Sequence, residues 1–375
     1  MELRMIIFLL TFFCLYGSIN FYFFFRARSI LHFSGLWQIV ILILLILLIA
    51  APVLVRVLEA LRYEQLARAV ACIGYLWMAF VFLFFFISLS FDLVRLVYKI
   101  IADNPLSFKT LFFGLAVFFS LALVVYGYFD AQNIRVQHLK IATEEFLPGR
   151  GELRIVQISD VHVGIVIRER RLDRLLQLLS DARPDILVCT GDFLDGELDN
   201  IMDDAERFAQ IPATYGKIAI LGNHEYYAGL KRSVEFIEAA GFQLLRDDYI
   251  KIAGITVFGE DDITGRRPGA TQKSDAFRRL LRESREGFVL LLKHQPHIDQ
   301  DAKFNLQLSG HTHGGQLYPF GFIVKLYFPK IYGLHELAPG KLLYVSRGTG
   351  TWGPPVRVFA PPEITVIDLI GKKSN

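Results

Sequence analysis

Four apolar runs in the first 130 residues of this 375-residue chain constrain its fold more than any other feature. They extend approximately over Met5–Phe25, Leu36–Val55, Ala69–Phe91 and Leu111–Phe129. A hydrocarbon core of about 30 Å is crossed by about 20 helical residues, so each run is long enough to span it. Lipid offers no hydrogen bonds, and a single segment satisfies its own backbone there only as a helix. Arg26 and Arg28 close the first run, Arg56 and Arg62 follow the second, and Lys109 precedes the fourth. Tyr22, Trp37, Tyr126 and Tyr128 fall near run ends, where amphipathic rings favour the interface. Asp103-Asn104-Pro105 breaks any helix continuing from the third run. The first run is too long for a signal-peptide core and lacks a small-residue cleavage site after Phe25, so it reads as a span. The run interiors carry almost no ionisable residues, which argues for an anchor and against a transport pathway or sensor. Lys and Arg are nearly balanced between the two sets of flanks, so charge assigns no orientation. Residues 1–130 are therefore expected to be a membrane anchor and 131–375 a globular domain.

Charge separates the two parts. Up to Asp130 there are nine Lys/Arg and six Asp/Glu, out of 40 and 37 in the chain, which leaves 31 of each sign beyond it. The globular part is formally neutral and shows no basic stripe of the kind that tracks a nucleic-acid backbone, so no nucleic-acid polymer is expected as a partner. Cys14 and Cys72 lie in apolar runs and Cys189 in an expected strand, which is no disulfide framework.

After Asp130 short β-rich runs alternate with helical ones. Leu153–Ile158, Ile186–Cys189, Ile218–Leu221, Phe288–Leu292 and Leu306–Leu308 read as buried strands. Arg170–Ser180, Ile201–Ala209, Lys231–Ala240 and Ser274–Arg285 have helical spacing. Five motifs stand at or just after the ends of those strands, where α/β sheets place their ligands. They are Asp160-Val161-His162, Gly191-Asp192-Phe193-Leu194-Asp195, Gly222-Asn223-His224-Glu225, Lys293-His294 and Gly310-His311-Thr312-His313. Any one of these histidines alone would be an ordinary polar residue; five successive strand ends bearing such groups are not ordinary. The donors are oxygen and imidazole without thiolate, which suits hard or borderline divalent ions. Two such ions about 3.5–4 Å apart can clamp the attacking and leaving oxygens of an in-line displacement at phosphorus.

With these blocks in this order, the stretch from about Leu153 to Leu369 resembles the calcineurin-like metallophosphoesterase superfamily. Ser309–Gln316, Arg347-Gly348-Thr349-Gly350 and Pro362-Glu363-Ile364 are similar to its membrane-associated bacterial branch. That branch includes YkuE-like proteins and some lipid-A-pathway UDP-diacylglucosamine pyrophosphatases. The resemblance implies an α/β fold, a four-layer α/β/β/α sandwich with two metal ions at one sheet edge, which the four apolar runs precede as expected transmembrane helices. It assigns Asp160, His162, Asp192 and His313 to one ion, and Asp192, Asn223, His294 and His311 to the other, with Asp192 bridging. Mn²⁺ is the expected metal, and Fe and Zn²⁺ also tolerate this ligand set. His224 is outside the ligand set and is expected to stabilise the transition state or protonate the leaving oxygen, with Asp195 orienting its ring. Asp195 is also readable as a helix cap.

Two readings stand for Arg357, a contact to substrate phosphate and a structural cation. Lys273, Arg278, Arg279, Arg282 and Arg285 read as a solvated helix face partly neutralised by Asp275, Glu283 and Glu286, in preference to a lipid-facing one. His138, His297 and His335 read as ordinary polar positions. The function implied is a multi-pass protein, expected in a bacterial inner membrane, that hydrolyses a phosphoester or pyrophosphate bond by attack of a metal-activated water. A phosphorylated small molecule or lipid-linked substrate is expected, because the domain follows the fourth span directly. A narrower alternative is a UDP-2,3-diacylglucosamine pyrophosphatase-like enzyme. The alternative from another class is a non-catalytic membrane scaffold, which should lack ligands or the catalytic histidine; none is missing here.

Overall fold

The computed structural model describes residues 2–102, 108–146, 151–165, 170–196, 201–265, 271–283 and 287–372. Asp103-Asn104-Pro105, Arg285 and Glu286 lie outside them. The chain divides into two compact units, Met1–Phe129 with Gly353–Val358, and Asp130–Trp352 with Phe359–Asn375.

The first unit is built on α1 (Glu2–Leu31), α2 (Leu36–Ala60), α3 (Glu64–Ala102) and α4 (Lys109–Gln132). All four are long and apolar enough to cross a membrane. The 39 residues of α3 outrun the apolar stretch Ala69–Phe91 because its charged ends continue the same helix. At 1.5 Å per residue it is about 58 Å long. Aromatic rings hold α1 to α3: Phe23 stands edge-on to Trp77, Phe80 and Phe84, with centroids 5.2, 5.7 and 5.0 Å away. That geometry sets a positive ring edge against a negative face. Asn20 is buried and accepts the Trp77 indole N–H at 2.8 Å. Arg26 of α1 meets Asp92 of α3 at 2.9 Å, where Tyr22 also donates at 2.8 Å and Arg95 stands at 3.4 Å. Charges that the sequence places at the ends of separate runs thus form one neutralising group between two helices.

The second unit runs, in chain order, β1 (Arg135–Phe146), β2 (Glu152–Ile158), β3 (Val163–Gly164), α5 (Arg170–Ala182), β4 (Ile186–Cys189), β5 (Leu194–Asp195), α6 (Ile201–Ala209), β6 (Gly216–Ala219), α7 (Asn223–Tyr227) and α8 (Leu230–Ala239). It continues with β7 (Gln243–Leu244), β8 (Asp248–Ile252), β9 (Ile255–Gly259), α9 (Thr271–Arg282), β10 (Val289–Leu292), β11 (Leu306–Ser309), α10 (Phe320–Tyr327), β12 (Gly333–Ala338), β13 (Lys341–Val345) and β14 (Glu363–Lys372). One six-stranded sheet has the order β1-β14-β2-β4-β6-β7 and the other β12-β13-β11-β10-β9-β8.

The two sheets close on a shared core. Ile155, Val188 and Ile218 of the first sheet are buried with Val257, Leu290, Leu292, Leu306 and Leu308 of the second. Successive strand side chains point to opposite faces. In β10, Leu290 and Leu292 therefore enter that core, while Val289 and Leu291 pack with Phe277 and Leu281 of α9. Beyond the first sheet, Phe193 is held edge-on by Phe208 of α6 and Phe236 of α8 at 4.8 and 5.2 Å. The result is the four-layer α/β/β/α arrangement. The pairs β2–β4, β4–β6 and β10–β11 are parallel, so within each sheet the loops leaving these strands emerge at one edge. The motif-bearing strands are divided three and two between the sheets, not placed in a single open sheet.

Candidate metal centre

Asp160 and His162 leave β2, Asp192 leaves β4, and Asn223 and His224 open α7 after β6. His294 leaves β10, and His311 and His313 leave β11. Backbone bonds tie these loops together: Asp160 N–H to Gly191 O at 3.0 Å, His162 N–H to Asp192 O at 3.1 Å, and Gly310 N–H to His294 O at 2.9 Å. Asp160, His162, Asp192, His311 and His313 all have φ between 50° and 70°. Non-glycine residues rarely enter this left-handed region, at a cost of about 1–3 kcal/mol each, and they cluster at functional sites. Five of the seven proposed ligands share this conformation, out of twelve non-glycine residues with positive φ among the described residues.

The side chains form two clusters that meet at Asp192. In one, His162 Nε2 faces His313 Nε2 at 3.2 Å and Asp160 Oδ1 lies 3.5 Å from His313 Nε2. In the other, His294 Nε2 lies 3.1 Å from Asp192 Oδ2, 3.2 Å from Asn223 Oδ1 and 3.2 Å from His311 Nδ1. Asp192 Oδ2 is also 3.9 Å from His162 Nε2. Asp160, His162 and His313 form one group able to hold a metal ion, and Asp192, His294 and His311 another. A third group, His162, Asp192 and His224, brings His224 beside the shared carboxylate.

The donors fit divalent cations. One proton on His294 Nε2 cannot satisfy an aspartate, an amide oxygen and a second imidazole at once, whereas a cation can. The Thr190 carbonyl can only accept, so His294 Nδ1–H donates to it at 2.8 Å and leaves Nε2 to the cluster. His162 Nδ1 is buried without a hydrogen-bond partner among the described residues, an uncommon state for a native polar atom. The glycines of the motifs keep the space open. A Cβ on Gly222 would strike Asp192 Oδ1, and one on Gly310 would strike Ser159 Oγ and Asp160 Oδ2.

Glu225, the last residue of the Gly222–Glu225 motif, supports the loops around it. Glu225 is fully buried, and its carboxylate accepts N–H bonds from Gly222 (2.7 Å), Asp192 (3.0 Å), Phe193 (2.7 Å) and Leu194 (3.2 Å). It fixes the loop that carries Asp192. The available signal was the spacing of Glu225 three residues after Gly222, the register of a capping box. Glu225→Gln replaces an all-acceptor group by one that must point an NH₂ at other donors. Such supporting groups typically alter metal affinity by roughly 10–100-fold, and a loss in that range is expected. Chelator-competition titration measures it; unchanged affinity would make Glu225 a fold residue only.

Electrostatics prepare the clusters unevenly. Burial raises Asp160 to about 6, and burial lowers His162 to about 3 and His311 to about 4. Both imidazoles are thus neutral donors near pH 7. Burial would lift Asp192, but the neighbouring His294 and His224 hold it well below the usual carboxylate range. Burial would lower His294, but Asp192 and then Asp160 raise it well above the ordinary histidine value. A cation at this cluster competes with the His294 proton, because a ligating imidazole must be neutral. The sign follows: a raised His294 keeps its proton at neutral pH, so loading a cation releases it and affinity strengthens as pH rises. Calorimetric titration of Mn²⁺ in buffers of different ionisation enthalpy should show this release; affinity independent of pH would contradict it.

Asp195 lies in β5, six residues before α6, with Oδ1 3.4 Å from His224 Nδ1. Burial opposes charge on His224, but Asp192 and Asp195 overcome it and raise the imidazole to about 9. Arg357 is fully buried with its backbone N–H bonded to Gly127 O at 2.9 Å, in a segment grouped with the first unit. Arg279 and Arg282 of α9 meet Glu283 at 3.9 Å and Asp299 at 3.6 Å respectively. His297 packs on Phe328, and His335 bonds to the Tyr332 carbonyl; neither belongs to the metal-ligand groups.

Residues 153–315 match the calcineurin-like phosphoesterase family, a stretch that contains all five donor-bearing motifs from Asp160 to His313. An uncharacterized metallophosphoesterase of Aquifex aeolicus is 40% identical over 260 residues, 68% of this chain and 99% of that protein. An uncharacterized metallophosphoesterase of Campylobacter jejuni is 30% identical over 369 residues, 96% of this chain and 97% of that protein. A Danio rerio protein described as a transmembrane protein with metallophosphoesterase domain is 32% identical over 272 residues, 68% of this chain and 62% of that protein. Four apolar helices and relatives of this kind make the chain a multi-pass membrane protein. The chain belongs to the calcineurin-like phosphoesterase family and is a metal-dependent phosphoester hydrolase.

Proposed function

We propose that this protein is a membrane-anchored phosphohydrolase with two divalent ions, Mn²⁺ foremost, that cleaves a phosphoester or pyrophosphate bond. The observation that carries this reading is the meeting at Asp192 of two donor clusters, drawn from both sheets and held in strained backbone. Asp160, His162, Asp192 and His313 would hold one cation, and Asp192, Asn223, His294 and His311 the other. When bound, the ions would supply Lewis-acid activation of water and neutralise charge on the phosphoryl group. The chain's own groups do the rest. Asn223 is a neutral donor and leaves the loaded site a net positive charge for the phosphate. Asp195 orients the His224 ring, whose raised pKa keeps a proton available for the leaving oxygen. Tyr227 and Trp352 are exposed with ring centroids 5.6 and 6.0 Å from His224, where a leaving group would approach.

The test is turnover by the full chain in detergent with Mn²⁺, on bis-p-nitrophenyl phosphate, nucleotides and UDP-linked acylated sugars. Hydrolysis of a lipid-linked pyrophosphate above the others would support the narrower pyrophosphatase reading. No turnover of any substrate by protein with both ions bound would return it to a non-catalytic scaffold. The anchor has its own check: the protein is expected in the membrane fraction until detergent is added, and recovery in the soluble fraction would defeat it.

A further inference from the structure

Helix α10 is turned inside out relative to an ordinary surface helix. None of its eight residues is buried. Gly321 and Val324, with Phe328 at its C-cap, are half-buried and share one side at helical spacing. Phe322, Ile323, Leu326 and Tyr327 share the other side and are 58, 44, 80 and 78% exposed. A globular protein normally gives that outer side to charged residues, and a contiguous apolar face of this kind marks an interaction site.

The surrounding sequence says what kind. From Leu317 to Leu334 there is no carboxylate, and the charges are Lys325 and Lys330. Lys325 is exposed at the flank of the apolar face, so its stem can lie along apolar matter while its ammonium reaches phosphate. An outward apolar face edged with lysine is the composition of a helix lying in the headgroup region of an anionic bilayer. The unit that carries α10 is tethered directly to a candidate membrane span, because α4 ends at Gln132 and β1 begins at Arg135. The metal centre is close as well. Phe320 begins α10 seven residues after His313, and the Phe328 ring stands edge-on to His311 with centroids 5.2 Å apart.

We infer that α10 is a membrane-interface helix, seated by Phe322, Ile323, Leu326 and Tyr327 in the headgroup–acyl boundary of an anionic bilayer, so that the His311 side of the site works at the depth of lipid phosphates. This rests on the chain's membrane character and not on its proposed substrate.

Photocrosslinking in the whole 375-residue chain decides it. p-Benzoylphenylalanine replaces Leu326, with Leu47 of α2 as a lipid-facing control and the highly exposed Lys231 of α8 as a water-facing one. The protein is held in nanodiscs of phosphatidylcholine with phosphatidylglycerol. Lipid adducts at positions 326 and 47 but not 231 are expected, with the yield at 326 falling when phosphatidylglycerol is omitted. Adducts at 47 without adducts at 326 would overturn the inference. So would capture at 326 of a second copy of the chain, and a yield indifferent to phosphatidylglycerol would remove the anionic requirement.

Discussion

Asp192→Ala is expected to empty both metal positions and leave activity near the limit of detection. Asp192 is the side chain proposed to serve both cations, and it stands both in the group with His294 and His311 and in the one with His162 and His224. Its Oδ2 lies 3.1 Å from His294 Nε2 and 3.9 Å from His162 Nε2, and its Oδ1 accepts the His224 N–H at 2.9 Å. Removing it would take away the negative charge proposed to hold both cations, and it frees the backbone N–H of His224 from its acceptor. The remaining donors around His294 are then neutral, Asn223 and His311, and neutral donors alone hold a hard cation weakly. Metal content by mass spectrometry reads the result, and thermal unfolding shows whether the variant folds. Two ions retained by a folded variant would strip Asp192 of the bridging role. Asp192→Asn keeps the shape and the bond from His224 while removing the charge, so it separates lost charge from lost support. His311→Ala and His313→Ala should each empty mainly one position, because their ring nitrogens belong to different clusters. Equal loss of both ions from each would mean the positions cannot be told apart in this way.

How far the sequence reveals this architecture depends on burial. β4 is Ile186–Cys189 and α6 is Ile201–Ala209, as their apolar patterning predicts, because both strand faces or one helix stripe must be covered. β8 and β12 show no such signal: they are antiparallel edge strands, and the alternation of β12 is between half-buried and exposed. β1 and β14 are further apart in sequence than any local pattern can see, and they pair through a register linking Arg135 to Glu363. α10 has two turns with its apolar side outward, the opposite of the rule by which helices are read. The donor types of the site are legible because chemistry limits them to a few residues. The strained φ values at Asp160, His162, Asp192, His311 and His313 are not, although Gly191, Gly310 and Gly314 sit beside Asp192, His311 and His313. Glu225 was visible as a letter in a motif and invisible as a support, since three of its four backbone partners lie some thirty residues earlier.

His224→Asn is expected to retain both ions and to lose kcat by roughly 10²–10⁴-fold with substrates whose leaving group needs a proton. His224 also stands with His162 and Asp192 in a third donor group, so the metal content of the variant is measured beside its turnover. His224 Nδ1 points to Asp195 at 3.4 Å, and its ring stands edge-on to His162 with centroids 4.6 Å apart, beside the clusters. Asp192 and Asp195 raise its pKa to about 9, so it carries a proton at neutral pH; cations bound nearby would pull that value down toward the working range. Two roles make different demands on the same variant. A general acid matters most for a poor leaving group and little for p-nitrophenolate, which departs without protonation. A charge stabiliser at the phosphoryl oxygens matters alike for both, because that charge is the same in each transition state. The ratio of the two losses, measured with an alkyl and a p-nitrophenyl ester, therefore assigns the role. Asp195→Asn should weaken the acid role in the same direction and less severely, because it lowers the histidine pKa without removing the ring. Full activity in a His224→Asn protein that binds two ions would dismiss both roles and leave the Asp195–His224 pair as a structural contact.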